Sequence, residues 1–413
     1  MADSVAGFLN VGIIGVGNIG TVHASAVFRG AIRGMRLGAL CDIDGAKRER
    51  FSDMFPGVPV YADARKLIAD APELGLDAVI VSVPHRLHAE IATAAFNAGL
   101  HVLSEKPADV EYSKALLMND AAVRSGKVFG IMFNQRTDPL FRKAKEIIAS
   151  GELGAFKRSS WIITNWYRTQ AYYESSGWRA TWIGEGGGVL LNQAPHNIDI
   201  WLWLLGLPSR VRAFCYEGKY HRITVEDDAT VYAEFPGGGT GVFVTSTGEA
   251  PGVNRLELSF ENGRLILENG QLSVLRLGIS ERELCFTSKE SFVQPPVTEE
   301  VFTDTCVRDG HELILENFAS AVLGGDELIS PGSAGLSELA FSNAAFLSSW
   351  TGDWVELPLS EADQKRFSAM LEEKRETERL CRRAGSTDGD RRDADSGGSG
   401  NAVNYSERWT TRW

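Results

Sequence analysis

The fold is read from Leu9-Asn10-Val11-Gly12-Ile13-Ile14-Gly15-Val16-Gly17-Asn18-Ile19-Gly20. Leu9 to Ile14 is a short apolar run, and a helical pattern through Val22, Ala26 and Val27 follows the last glycine. Strand, glycine turn and helix in that order give a G-x-G-x-x-G match physical meaning. Gly15 permits a tight turn, Gly17 lets a ligand approach the backbone, and Gly20 lets helix and strand pack closely. The N–H groups of Asn18 and Ile19 open the helix, where its positive end attracts phosphate oxygens. The stretch therefore predicts a cradle for the pyrophosphate of a dinucleotide.

Working outward, the next strand, Leu37 to Cys41, ends at Asp42, about 20 residues past the glycines. A carboxylate there accepts from both ribose hydroxyls and repels a 2′-phosphate, which favours NAD. Lys47 and Arg48 follow closely and leave NADP as the less favoured cofactor. Strand patterns at Val58–Tyr61, Ala78–Val83, His101–Ser104 and Val128–Phe133 alternate with helical ones after Asp63, over 87–98 and over 111–125. This alternation predicts an α/β fold, a doubly wound parallel Rossmann sheet over residues 1–135. Ligands of such sheets bind beyond the carboxyl ends of the strands. Val83-Pro84-His85, Glu105-Lys106-Pro107 and Asn134-Gln135-Arg136 all begin just after a strand, so all three are expected at the cofactor cleft. A lysine beside a cationic nicotinamide and partly out of water gives up its proton readily, so Lys106 is a candidate acid–base. His85 and His88 have no neighbouring Cys, Asp or third His to complete a tetrahedral set, and no metal is expected.

The chain of 413 residues is long enough for two or three domains. A net charge of −12 without a basic block argues against nucleic acid as a partner, although local charge can differ from the total. Five cysteines without a C-x-x-C pair fit free thiols in a reducing compartment. No Lys or Arg precedes Arg29, and the apolar run 200–205 is far too short to cross a bilayer. A cytoplasmic protein without membrane contact is the expectation.

The second half turns on Gly184 to Gly206. Three glycines (186–188) lead into a helical segment that stops at Gly206 and Pro208, with Pro195 placed near its first turn. On one continuous helix Asn192, His196 and Asp199 would share a face, beside a core face of Ile198, Trp201, Leu202 and Leu205. Residues 160–183 gather Trp161, Trp166, Tyr167, Arg168, Tyr172, Tyr173, Trp178, Arg179 and Trp182. Aromatic faces with interspersed arginines fit a sugar, and equally an oligomer interface. From about Val211 to Val301, β-branched runs alternate with turn signals, Asn262-Gly263 and Asn269-Gly270 among them. An open, mainly antiparallel sheet is expected there, within an α+β domain over 136–370 that forms a homodimer or homotetramer through its free face. Apolar-periodic helices over 311–323 and 337–350 are expected to return to the first domain. Residues 371–413, charged and then rich in Gly and Ser, are expected to form a mobile tail, with Trp409 and Trp413 available to a neighbouring subunit.

The Gly15–Gly20 fingerprint, Glu105-Lys106-Pro107, and the glycine run leading to Asn192, His196 and Asp199 together resemble the glucose–fructose oxidoreductase / inositol dehydrogenase (Gfo/Idh/MocA) family, over about residues 1–360. The resemblance implies an NAD- or NADP-dependent enzyme that oxidises or reduces a secondary hydroxyl of a sugar, inositol or glycoside. It makes Lys106 the catalytic lysine and His196 the catalytic histidine, and puts Pro84, Glu105 and Asn134, together with His88, on the cofactor. Lys106, Arg168, Tyr172, Trp178, Asn192 and His196 would then face the substrate. One departure stands out: the family carries Asp four residues before the histidine, and this chain has Asn192. An amide orients a hydroxyl but takes no proton at neutral pH, so proton transfer falls to Lys106 and His196, with Asp199 as support. Two other functions are compatible with the resemblance: a glycoside-cleaving enzyme that retains NAD, and a sugar- or NAD-sensing binding protein without catalysis.

Overall fold

In the computed structural model, residues 7–303 and 308–385 are described. The described residues divide into two units, 7–138 with 308–339, and 139–303 with 340–385.

In the first unit, β1 (Leu9–Ile14), α1 (Asn18–Phe28), β2 (Met35–Cys41), α2 (Gly45–Met54), β3 (Val60–Tyr61), α3 (Ala64–Ala69), α4 (Ala71–Leu74), β4 (Ala78–Val81), α5 (His88–Asn97), β5 (His101–Ser104), α6 (Tyr112–Ser125) and β6 (Phe129–Ile131) follow in order. The strands form a six-stranded sheet in the order β3-β2-β1-β4-β5-β6, parallel throughout. β4 reads Ala-Val-Ile-Val and is buried at every position, as a strand covered on both faces must be. Strand order reverses between β1 and β4, which opens a crevice at the carboxyl ends of those strands.

The second unit begins with α7 (Pro139–Ser150), β7 (Phe156–Ile163), α8 (Gln170–Glu174) and α9 (Pro195–Leu205). Strands β8 (Arg210–Glu217), β9 (Glu226–Glu234), β10 (Thr240–Ser246), β11 (Asn254–Phe260), β12 (Gly263–Glu268) and β13 (Gln271–Leu277) follow, then α10 (Glu281–Thr287) and β14 (Val297–Thr303). α11 (Gly310–Leu323) belongs to the first unit, where Ile314, Leu315, Phe318 and Ala319 join the core around β1 and α1. α12 (Ser333–Thr351) is divided between the units after Leu339, and β15 (Val355–Glu356) and α13 (Glu361–Gly385) end the described chain. With β15, the second sheet has nine strands in the order β14-β13-β12-β11-β7-β10-β9-β8-β15. Only β7 and β10 pair in parallel; the other neighbours are antiparallel. Asn269 and Gly270, both at positive φ, make the β12–β13 turn, as their sequence signal predicts.

Three expectations change. Helix formation at the second motif starts only at Pro195, because Val189 to Ala194 form turns whose backbone is tied to β9. Buried Glu226 accepts from Gly188 N at 2.8 Å and Leu190 N at 2.9 Å, and Val189 N donates to its carbonyl at 3.0 Å. Burial pushes the Glu226 carboxyl up to about 8 despite those two N–H donors. Asn192 therefore precedes the helix instead of sharing a face with His196 and Asp199. Second, residues 308–339, inside the expected 136–370 domain, group with the first unit, in line with the expected return of the helix over 311–323. Third, residues 371–385 continue α13, which packs Phe367 on Trp350 and buries Leu371 and Glu378. Glu378 accepts from Ile183 N at 3.0 Å. The charged composition of this segment belongs to the exposed sides of an amphipathic helix. The rest of the expected tail, 386–413 with Trp409 and Trp413, lies outside the described residues.

Candidate cofactor and substrate sites

The first unit presents the glycine turn where the sequence places it. Gly15 has φ of 89°, and a Cβ there would meet the Ser82 carbonyl oxygen at 2.6 Å. Ser82 Oγ donates to the Gly15 carbonyl at 2.6 Å and fastens the turn to the end of β4. A Cβ on Gly20 would lie 2.1 Å from the Gly15 oxygen, whereas one on Gly17 would meet nothing within 4 Å. The turn is thus closed on the sheet side and open where a ligand would approach. No side chain caps the N-terminus of α1, so the N–H groups of Asn18 and Ile19 are not taken by a capping side chain.

Asp42, at the end of β2, accepts from Val16 N at 2.9 Å through Oδ2 and from Asp44 N at 3.0 Å through Oδ1. Those bonds hold the carboxylate against the glycine turn, and each oxygen keeps a lone pair for a ribose hydroxyl. Lys47 Nζ lies 3.7 Å from Oδ2. Asp42→Asn removes the charge that repels a 2′-phosphate while leaving Lys47 in place. The ratio of kcat/KM for NADP over NAD is expected to rise about 10- to 100-fold, read from initial rates with each cofactor. An unchanged ratio would mean that Asp42 does not face the ribose.

Glu105 and Lys106 follow β5. Glu105 is buried, accepting from His23 Nε2 at 2.8 Å and from Lys106 N at 3.2 Å. Burial alone would raise its pKa. The His23 hydrogen bond and the charges of His23, Lys106 and His311 outweigh it and hold the carboxyl down at about 2. The rings of His23 and His311 lie 5.8 Å apart, and His311 Nδ1 is 3.0 Å from Asp309 Oδ1 and 3.3 Å from the Asn134 amide nitrogen. His23 Nδ1 and Asn134 Oδ1 are both buried with no partner among the described residues. An open glycine turn, an uncapped helix end, an acidic strand end and two unanswered polar atoms fit NAD. Its pyrophosphate would take Gly17, Asn18 and Ile19, its adenosine ribose Asp42, and its nicotinamide half Glu105 and Asn134.

His88, expected on the cofactor, has Nδ1 2.7 Å from the Pro107 carbonyl and Nε2 2.7 Å from the Val83 carbonyl. Both ring nitrogens are engaged, so His88 braces the Pro84 and Pro107 loops instead of presenting a nitrogen to a ligand. Among the described residues no group of three His, Cys, Asp or Glu side chains could hold a metal ion.

The second unit gathers a different set. Tyr172, at the middle of α8, has a hydroxyl oxygen that accepts from Arg179 Nη1 at 2.7 Å, Gln193 Nε2 at 3.3 Å and Asn192 Nδ2 at 3.4 Å. Asn192 also donates to buried Glu185, whose other oxygen accepts from Ala180 N at 2.7 Å. The guanidinium carbon of Arg168 sits 5.0 Å from the Tyr172 ring centre, and that of Arg179 lies 4.7 Å from it and 4.9 Å from Trp178. His196 is the second residue of α9 and partly exposed, while Asp199 is buried one turn on. Arg168, Tyr172, Trp178 and Asn192 thus converge on one wall with Arg179, which the aromatic stretch also contains, and with Glu185 and Gln193, two residues that the sequence did not single out. Glu185 sits inside the glycine run, where a lone charged residue is the available signal. His23 lies three positions past Gly20, and His311 has no local signal at all.

Matches to known proteins agree with both halves. Residues 9–133 match the model of an oxidoreductase family with an NAD-binding Rossmann fold. Residues 141–266 match the GFO/IDH/MocA C-terminal domain. A 1-carboxy-3-chloro-3,4-dihydroxycyclohexa-1,5-diene dehydrogenase of Comamonas testosteroni is 30% identical over 212 residues, 51% of each chain, so this chain spans about half the length of that relative. An inositol 2-dehydrogenase of Rhizobium meliloti is 24% identical over 345 residues, 81% of this chain and 94% of its own length. The WlbA dehydrogenase of Chromobacterium violaceum, solved with NADH and UDP-GlcNAcA, superposes with a TM-score of 0.73 at 24% identity, covering 86% of this chain and 97% of its own. With the two models together spanning more than half of the residues, this chain belongs to the GFO/IDH/MocA family of NAD-binding oxidoreductases.

Proposed function

We propose that the protein is an NAD-dependent dehydrogenase of a secondary hydroxyl on a sugar, polyol or related ring. The observation that carries this is the buried Glu105, held ionised by His23 immediately before Lys106 at the end of a parallel strand. A fixed carboxylate tethers the Lys106 backbone through its N–H and makes the lysine position reproducible. Bound NAD would accept the hydride of the carbinol carbon, or return it in reduction. Lys106 takes the hydroxyl proton as the C–H bond breaks and returns it in the reverse direction. On the second unit, His196 is the group that would polarise a substrate oxygen, and Asn192, fixed by Glu185 and Tyr172, would orient a hydroxyl through its amide. Arg168 and Arg179, held over the rings of Trp166, Tyr172 and Trp178, offer N–H donors to the hydroxyls of a sugar ring. The two relatives, each named for a dehydrogenase of a hydroxylated ring, support the substrate class.

The test is turnover: protein with NAD and a panel of sugars, inositols and sugar acids, followed by the absorbance of reduced nicotinamide. Reduction with at least one member is expected. Glycoside cleavage without net reduction, or tight binding without either, would replace the reading. Across the outer face of the second sheet, Ile162, Val244, Thr230 and Phe214 pair in one row, and Ile162 and Phe214 are well exposed. That row supports a homodimer or homotetramer through the open sheet, which sedimentation would read directly. Among the described residues no helix is long and apolar enough to cross a membrane.

A further inference from the structure

We propose that Arg168, with Arg179 and Tyr172, forms a carboxylate-recognition subsite, so that the substrate is a sugar or polyol acid and not a neutral sugar. This rests on the dehydrogenase reading above and narrows its substrate class.

The charge balance of the wall points to an anion. Arg179 is 4.0 Å from Glu185, the one carboxylate that the wall contains, and Glu185 is 1% exposed and already accepts from Ala180 and Asn192. Arg168 forms no ion pair among the described residues. One of its terminal nitrogens donates to the neighbouring Tyr167 carbonyl at 2.9 Å, and its guanidinium is flanked by Tyr172 and, at 5.7 Å, by Trp166. The nearby acids are committed elsewhere. Asp227 accepts from Lys219, Tyr220 and His221, and Glu174 lies 3.9 Å from Arg222. Two guanidiniums against one carboxylate leave the wall at net positive charge in a chain whose total is −12.

The polar atoms around Arg168 are short of a partner in the same sense. Arg179 donates to the Tyr172 hydroxyl oxygen at 2.7 Å, with the Gln193 and Asn192 amide nitrogens at 3.3 and 3.4 Å competing for its second lone pair, and its own O–H has no acceptor among the described residues. The hydrogen of that hydroxyl is therefore available to an incoming oxygen, beside a guanidinium with four unassigned N–H donors. Gln193 is 5% exposed, and its Oε1 is buried without a partner, which provides an acceptor for a hydroxyl of the same ligand. A planar guanidinium fork with a phenol donor beside it matches a carboxylate, and a single surplus charge matches a monoanion better than a phosphate dianion.

The experiment compares kcat/KM with NAD for D-galacturonate against D-galactose, D-glucuronate against D-glucose, and D-glucose 6-phosphate. It uses the full chain and its Arg168→Met and Arg168→Lys variants, each checked for the native circular dichroism spectrum. In the wild type the acids should be preferred over their neutral partners by at least about tenfold, the scale of a charge-assisted hydrogen bond. The preference should shrink as salt is raised. The acid-to-neutral ratio should collapse in Arg168→Met and survive in part in Arg168→Lys. Neutral sugars turned over as well as the acids would overturn the subsite and leave the dehydrogenase reading standing. A preference for the phosphate would overturn the carboxylate assignment. If nothing is turned over, calorimetric titration of the NADH-loaded protein with the same probes decides. Binding of the uronates alone would keep the subsite while the dehydrogenase reading fails, and no binding of the uronates would overturn the subsite.

Discussion

Replacing Lys106 by methionine is expected to lower kcat by about 10²- to 10⁴-fold, the range assigned to a positioned acid–base group. Methionine keeps the length and apolar stem of the side chain and removes only the amine. The backbone tether through Lys106 N to Glu105 survives, so the β5 terminus stays in place. Arg at the same position keeps a positive charge but cannot release a proton, so Lys106→Arg should be nearly as slow. Single-turnover measurement of nicotinamide reduction separates the chemical step from product release. A loss below tenfold in both variants would mean that another group carries the proton.

His23→Leu is expected to destabilise the protein by about 3–5 kcal/mol at pH 7, because it strands a buried charge. Glu105 would keep only its bond from Lys106 N. The pH dependence follows from the direction of the shift. The folded-state pKa of Glu105, about 2, lies below the roughly 4.3 of an unfolded glutamate. Its stabilising contribution is therefore complete above the unfolded value and is lost as pH falls toward the folded one. The deficit of His23→Leu should be greatest near neutral pH and shrink as the medium turns acid and Glu105 is neutralised. Urea denaturation of wild type and variant at pH 7 and in the acid range reads both effects. The double variant His23→Leu/Glu105→Gln should recover part of the loss at pH 7, since it removes the stranded charge. A double variant as unstable as the single one would assign the loss to packing around His23, which is fully buried in the core of the first unit.

Residues 9–20 alone carry the Rossmann half, and the structure shows why. The glycine turn is a local device: φ at Gly15 and the approach of Gly20 to the Gly15 carbonyl are set within six residues. The strand ends beside Asp42, Glu105 and Asn134 were legible for a related reason. Parallel strands with short periods predict where each strand ends, and ligands meet those ends. The antiparallel half was legible as a class from its turns and β-branched runs, but not in its order. The parallel pairing of β7 with β10, and the place of β14 at one edge, depend on contacts far apart in sequence.

The second motif shows the limit most clearly. A continuous helical pattern through Asn192, His196 and Asp199 is what local periodicity implies, yet buried Glu226 captures the backbone of Gly188 and Leu190 and delays the helix to Pro195. A hydrogen bond from β9, some 36 residues away, outcompetes local propensity because a buried acceptor must be satisfied. Likewise residues 371–385, the second half of an amphipathic helix, read as part of a charged tail until Trp350 and Ile183 supply the surface that helix covers. By itself, the sequence determined the Rossmann fold class and its glycine turn for NAD, which rest on short-range geometry. Only the tertiary structure decided that His23 holds Glu105 ionised, that His88 is a brace, and that Arg168, Tyr172, Glu185 and Asn192 form one wall. Those roles depend on burial and on which distant groups share it, and neither is encoded in spacing along the chain.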